Sequence, residues 1–173
     1  MKFFSGFSLA NEQAFFYNYI KENAYTVVGF SYGSIKALEE VLGLLEKHKR
    51  VDTLQLLSPV FFQTKEERFR SLQLLSYKKN RSLYMKQFIR GCFAPFAIQS
   101  VAHRETNSEE LKELLYYIWN KKDFILLKEK GVKVEIYLGG KDKIIDVQNA
   151  REFFRGVGTL TYVKNANHFL QVF

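Results

Sequence analysis

The stretch Tyr25-Thr26-Val27-Val28-Gly29-Phe30-Ser31-Tyr32-Gly33-Ser34-Ile35 decides how the rest of the chain is read. Tyr25 to Val28 is an apolar, β-branched run of strand length, and after Gly33 the residues Ile35, Leu38, Leu42 and Leu45 recur at helical spacing. Between them, Gly29-Phe30-Ser31-Tyr32-Gly33 has the pattern of a sharp strand-to-helix turn, the nucleophile elbow, which holds its central serine strained with the oxygen exposed above a sheet. Glycine is needed two positions either side of the serine, where a side chain would collide with the neighbouring strand or helix. By composition alone such a pattern turns up in a chain of 173 residues about 0.05 times, so the strand before it and the amphipathic helix after it supply the context the motif demands.

Working outward, strand and helix signals alternate at both ends of the chain. Lys2 to Phe4 reads as a short strand, and Asn11 to Glu22 as a helix carrying Ala14, Phe15, Tyr17 and Tyr19. Val51 to Leu57 is a buried-type strand closed by Ser58-Pro59, and Val132 to Leu138 alternates cleanly before Gly139-Gly140. Asp146 then caps a helix to about Phe154, Thr159 to Val163 makes a last strand, and Asn165-Ala166-Asn167-His168 is loop-like. Strands separated by helices predict an α/β domain with a mostly parallel sheet. Residues 61–130 interrupt the alternation with helices at Glu66 to Leu75, Arg81 to Arg90 and Glu109 to Asn120. An insertion of that length is too long for an ordinary connection, and predicts a helical lid over a core built from 1–60 and 131–173.

A serine hydroxyl becomes a nucleophile when a base takes its proton and a carboxylate orients that base. Of the three histidines, His48 lies in a basic last helical turn, where it complements the helix dipole, and His103 falls in the insertion, ahead of the candidate acids that follow the Val132 strand. His168 alone gives the chain order Ser, Asp, His. Asp142, in Gly139-Gly140-Lys141-Asp142, comes directly off a strand's carboxyl end and is the expected acid; Asp146 is the runner-up but fits a helix cap. Asp52 stands at the wrong end of its strand, and Asp123 lies among lysines. The oxyanion would take one backbone N–H from Tyr32, the residue after the serine, and a second from Phe7 in the early loop Ser5-Gly6-Phe7-Ser8.

The 47% apolar content of 173 residues suffices for one domain with a real core and not for two. No apolar run approaches the roughly 20 residues of a membrane span, and the start from Met1 to Gly6 lacks the long apolar run of a signal peptide, so a soluble, cytoplasmic protein is expected. The single Cys92 excludes an internal disulfide, and no Cys/His cluster has metal-ligand spacing; neither metal nor cofactor is expected. Residues 62 to 104 hold nine Lys/Arg against Glu66 and Glu67, which places +7 of the chain's net +8 in the insertion. Such a local patch steers an acidic partner, with a solvated helix face as its plain alternative.

With elbow, acid and histidine in order, the chain resembles the α/β-hydrolase superfamily, in a minimal form with an inserted helical lid. Within it, the chain is similar to the short carboxylesterases of biotin synthesis that remove the methyl group from pimeloyl-acyl carrier protein methyl ester. This resemblance rests on Gly29-Phe30-Ser31-Tyr32-Gly33-Ser34, the early Ser5-Gly6-Phe7, the ending Asn167-His168-Phe169, the short length and the basic insertion. It implies ester hydrolysis through an acyl-enzyme on Ser31, with acyl carrier protein as partner. Arg68, Arg70, Lys78, Lys79, Arg81, Lys86 and Arg90 would meet the acidic carrier, and Phe61, Phe62, Phe69, Phe88, Phe93 and Phe96 would line an acyl channel or form core. The chain departs from the pattern in carrying Ser5 where most members have a His-Gly pair, and in lacking the usual first two strands and final helix. A thioesterase or general short-ester hydrolase would use the same triad, and a non-catalytic binding protein the same fold. No nucleic-acid motif accompanies the basic patch.

Overall fold

In the computed structural model, which describes residues 1–173, the elbow strand stands inside a five-stranded sheet. β1 (Lys2–Phe4) is followed by the two-residue β2 (Leu9–Ala10), a 3-10 helix over Glu12–Phe16, β3 (Thr26–Phe30), α1 (Gly33–Glu46) and β4 (Thr53–Leu57). Then come α2 (Glu67–Lys79), α3 (Arg81–Phe93), β5 (Ala102–His103), α4 (Ser108–Tyr116), α5 (Lys121–Glu129), β6 (Lys133–Gly139), α6 (Val147–Phe154) and β7 (Thr159–Val163). The sheet runs β1-β3-β4-β6-β7 with every pairing parallel, while β2 and β5 form a separate antiparallel pair.

The near-continuous apolar runs in β3 and β4 follow from burial on both faces. All five β3 residues are buried. Alternate side chains serve different cores, as the two-residue strand period requires. Val27, Leu54, Leu56, Val134, Ile136 and Leu138 face one core with Ile35 and Leu38 of α1 and Phe154 of α6. Val28, Phe30 and Leu57 face another, filled by Phe16, Ile89, Phe93 and Phe169. Phe30 is fully buried between Phe16 and Phe169, with ring centroids 4.6 and 5.2 Å away.

The structure differs from the sequence expectations in three places, each for a tertiary reason. The helix expected from Asn11 to Glu22 is only the 3-10 turn to Phe16. Beyond it the chain is drawn outward: Lys21 N–H donates to Gln55 Oε1 at 3.1 Å and the Tyr19 hydroxyl to the Leu170 carbonyl at 2.9 Å. The helix expected from Glu109 to Asn120 stops at Tyr116, because Trp119 donates its backbone N–H to Gln63 Oε1 (2.8 Å) and its indole N–H to the Val60 carbonyl (2.7 Å). Asn120 then caps α5, a helix not expected from sequence, by accepting from Lys122 N–H. α5 packs on β6, so this part of the 61–130 segment flanks the sheet and does not lie over its end. Lastly, β2 pairing with β5 links the early loop to the insertion.

Candidate active site

Ser31 leaves β3 with φ 52°, in the left-handed region that costs a non-glycine residue about 1–3 kcal/mol and persists only where the surroundings impose it. The surroundings do so here. A Cβ on Gly29 would lie 2.3 Å from the Gly33 carbonyl oxygen, and one on Gly33 would lie 2.0 Å from the Phe4 carbonyl oxygen. Ser31 N–H extends the ladder to the Leu57 carbonyl (2.9 Å), and the Ser34 hydroxyl donates back to the Gly29 carbonyl (2.9 Å). The elbow is thus closed on strand, helix and neighbouring loop together.

Asp142 and His168 arrive on two loops that are tied to each other. Gly140 N–H donates to the Val163 carbonyl (2.9 Å) and Lys141 N–H to the Ala166 carbonyl (2.8 Å). The approach is so close that a Cβ on Gly139 would sit 2.2 Å from the Asn167 carbonyl oxygen. Asp142 Oδ1 accepts from Ile144 N–H (2.7 Å) and Ile145 N–H (3.3 Å), which aims Oδ2 at the imidazole. His168 Nδ1 donates to that Oδ2 at 2.5 Å, and Nε2 is left to accept from the Ser31 hydroxyl at 2.9 Å. All three residues are buried, and Phe30 packs against the imidazole at 5.0 Å.

Tyr32 and Phe7 flank the serine. Their rings meet edge to face at 6.5 Å, Phe7 lines the same cavity as Ser31, and neither backbone N–H is engaged by another group of the protein. The Tyr32 hydroxyl donates to Glu113 Oε2 (2.5 Å), and Lys36 pairs with the other oxygen, so α4 is fastened to the elbow helix. Burial, and then the Glu113 carboxylate, push the Tyr32 hydroxyl far above its ordinary pKa.

Over Ser31 opens a cavity of about 270 Å³, walled by Phe62, Phe69, Phe88, Leu111 and Leu114. Tyr84, Gln73, Gln87 and Lys143 supply its polar groups, and the Tyr84 hydroxyl donates to Gln73 Oε1 at 3.0 Å. Of the six phenylalanines expected in a channel or core, Phe61 and Phe93 are fully buried core, and Phe96 lies tilted beside Phe173, with ring centroids 6.3 Å apart.

The remaining candidates fall elsewhere. His48 is exposed just beyond α1, and His103 is exposed in β5. Asp146 caps α6, Asp52 is held by Arg50, and Asp123 is in the first turn of α5. Arg68, Lys78, Lys79, Arg81, Lys86 and Arg90 are exposed on α2 and α3 without a carboxylate partner. Arg70 is different: its guanidinium donates to the Phe62 and Gln63 carbonyls at 3.1 and 3.2 Å, bracing the cavity wall. No group of three or more His, Cys, Asp or Glu is placed to hold a metal ion, and no helix is long and apolar enough to cross a membrane.

Sequence reasoning did not pick out Asn167 as a support for the histidine loop, nor Glu12 beneath the early loop. Asn167 Nδ2 donates to the Phe93 carbonyl (3.0 Å) and to Gln171 Oε1 (3.2 Å), and its Oδ1 accepts from Gln171 N–H (3.0 Å). An Asn beside a candidate histidine is the only sequence signal for it; Glu12 leaves none.

No protein-family model matches the chain, and no curated protein matches it. Among solved structures, the chain is similar to BioG from Haemophilus influenzae at 12% identity and TM-score 0.61, covering 97% of this chain and 87% of that one. It is also similar to the esterase EaEST from Exiguobacterium antarcticum (19% identity, TM-score 0.51, 83% of this chain and 59% of that one). Naproxen esterase from Bacillus subtilis gives 17% identity, TM-score 0.50, and coverage of 84% and 53%. The chain therefore spans little more than half the length of those two esterases. These likenesses speak for the fold, a minimal one of the α/β-hydrolase type.

Proposed function

We propose, from an α/β-hydrolase fold with its serine under a largely apolar cavity, that the chain is a serine carboxylesterase acting on the methyl ester of pimeloyl-acyl carrier protein. One observation carries the esterase reading: Ser31, His168 and Asp142 form a continuous hydrogen-bonded line that opens on an apolar cavity. Ser31 Oγ attacks the ester carbonyl while His168 Nε2 takes its proton, and Asp142 holds the imidazole in the tautomer that can do so. The oxyanion is received by the N–H groups of Tyr32 and Phe7. His168 returns the proton to the departing methoxide, giving methanol and an acyl-enzyme. A water, deprotonated by the same imidazole, then hydrolyses that acyl-enzyme and frees Ser31.

The finer substrate assignment rests on the sequence resemblance and on charge. A largely apolar cavity of about 270 Å³ suits an acyl chain of pimeloyl size, and the carrier is acidic where α2 and α3 expose six cations without carboxylate partners. The fold-level likeness to BioG, which spans nearly the whole chain, supports a unit of this small size. A cytoplasmic setting belongs to the same proposal.

The test offers purified protein three substrates: the methyl ester on acyl carrier protein, the corresponding thioester and a free short ester. Fastest cleavage of the carrier-bound methyl ester is expected, and Ser31→Ala should abolish it, by about 10⁴-fold or more, in a protein that stays folded. Preference for the thioester makes the chain a thioesterase. Absence of turnover together with absence of fluorophosphonate labelling at Ser31 refutes the esterase reading.

A further inference from the structure

The loop Ser5–Ser8 has to present the Phe7 N–H to the cavity, and the turn bond from Leu9 N–H to the Gly6 carbonyl (3.2 Å) closes it without setting where it points. Two clamps hold it. On its far side, Ser8 Oγ donates to the Arg104 carbonyl (3.0 Å) and Arg104 N–H donates to the Ser8 carbonyl (3.1 Å), continuing the β2–β5 pairing. On its near side, Gly6 N–H donates to Glu12 Oε1 at 2.7 Å. Gly6 itself is pressed on the Phe30 ring, where a Cβ would lie 3.0 Å away, so its peptide has little room to turn by itself.

Glu12 is fully buried, at 0% exposure, and its second oxygen, Oε2, has no partner in the protein. The Gly6 peptide that it holds packs against Phe30 and Leu9. A carboxyl group in such a place is costly, since an unsatisfied buried polar atom forfeits about 1–3 kcal/mol of solvation. Burial drives the Glu12 pKa above the ordinary carboxyl value even though the Gly6 N–H, its own backbone N–H, the Ser5 hydroxyl and the Arg104 charge pull it down. Local rules are broken in this way chiefly at functional or strained sites.

We propose that Glu12 is the positioning residue of the oxyanion loop: by holding the Gly6 N–H inward it fixes the following peptide so that the Phe7 N–H faces the carbonyl oxygen above Ser31. The inference rests on the esterase reading. Glu12 touches no substrate, and acts through the two peptides between it and the Ser8 clamp.

The test compares the full-length wild type with Glu12→Ala, Glu12→Asp and Glu12→Gln on p-nitrophenyl butyrate, with hydrogen exchange measured over residues 5–8. Misplacing one oxyanion donor should lower kcat about tenfold to a hundredfold in Glu12→Ala with KM held within about twofold, because the donor acts on the transition state. Glu12→Asp, one methylene short of the Gly6 N–H, falls with it. Glu12→Gln offers the same carbonyl acceptor and stays within about threefold of wild type. Exchange at residues 5–8 quickens in the Ala and Asp variants and not in the Gln variant. If Glu12→Ala does not fold, the contrast between Asp and Gln carries the test. Wild-type kcat in both Ala and Asp, a change confined to KM, or a Gln variant as slow as Asp overturns the role of Glu12. A wild type that cleaves no ester overturns the esterase reading as well, and is told apart by the inert wild type itself.

Discussion

The side-chain amide of Asn167 donates to the main-chain carbonyl of Phe93, 74 residues away in sequence. Phe93 ends α3, and Asn167 immediately precedes the histidine, so the insertion holds the loop that carries the proposed base. Phe93 and Phe169 reinforce the join with ring centroids 4.5 Å apart. The helical segment is therefore part of the site's scaffold as well as its cover.

Asn167→Ala leaves the buried Gln171 amide without its acceptor and the Phe93 carbonyl with the Phe96 N–H as its one remaining donor. A cost of about 2 kcal/mol is expected, read as a fall of roughly 4–8 °C in Tm. Ester turnover should fall further than stability explains, because His168 loses its alignment to Ser31. Thermal unfolding and kcat measured on the same preparation check both parts.

Two glycines of one helix should respond oppositely to alanine. Gly33→Ala drives a Cβ to 2.0 Å from the Phe4 carbonyl oxygen, which is backbone and cannot swing away, so the variant should lose most of its stability or fail to accumulate. Gly43→Ala in α1 meets nothing within 4 Å and should stabilise by about 0.5–1 kcal/mol. Urea unfolding of the two variants side by side makes the comparison.

Reversing Arg81 and Lys86 to Glu should lower kcat/KM about tenfold or more on the carrier-bound ester and leave a free short ester within about twofold. Both residues are exposed along a groove of about 510 Å³ that also includes His103 and Arg104. The effect should shrink as salt rises, since exposed charges are screened over about 10 Å at 0.1 M. Arg70→Ala should instead harm both substrates alike, because its guanidinium braces the cavity wall. Equal loss on both substrates from the Arg81 and Lys86 reversals would refute docking at this face.

Beneath the sheet, Glu135 is buried, yet hydrogen bonds from Lys133, Lys21 and Gln55 outweigh that burial and hold its carboxyl at about 2. Its pKa lies below the unfolded value of about 4.3, so its contribution to stability is present above that value and fades as pH falls towards 2. Glu135→Gln should be less stable than wild type at pH 7 and should flatten the loss of stability between about pH 4.5 and 2. Unfolding midpoints across that range read the slope.

The parts of the molecule legible in the sequence are those whose chemistry is local. Gly29 and Gly33 announce the elbow because they stand at fixed spacing around the serine in one turn, and Gly139-Gly140 marks the end of β6 because a glycine pair interrupts an alternating strand. Chain order singles out His168 and the carboxyl end of a strand singles out Asp142, and both are properties of topology that survive in one dimension. The Trp119 bonds that split α4 from α5, the bonds of Tyr19 and Lys21 that follow the 3-10 turn and the bond from Asn167 to Phe93 join positions with no sequence relationship. No periodicity reports such pairs, since each is decided by what lies across the fold.

The short ribbon of Leu9–Ala10 with Ala102–His103 constrains anyone who would recombine this molecule. Its two halves are neighbours in space but are separated along the chain by β3 and β4, so neither can be exchanged for another piece without stranding the edge of the other. A graft that imports a new helical segment must import the start of the chain with it, and a truncation that removes the segment leaves the early loop with one anchor in place of two.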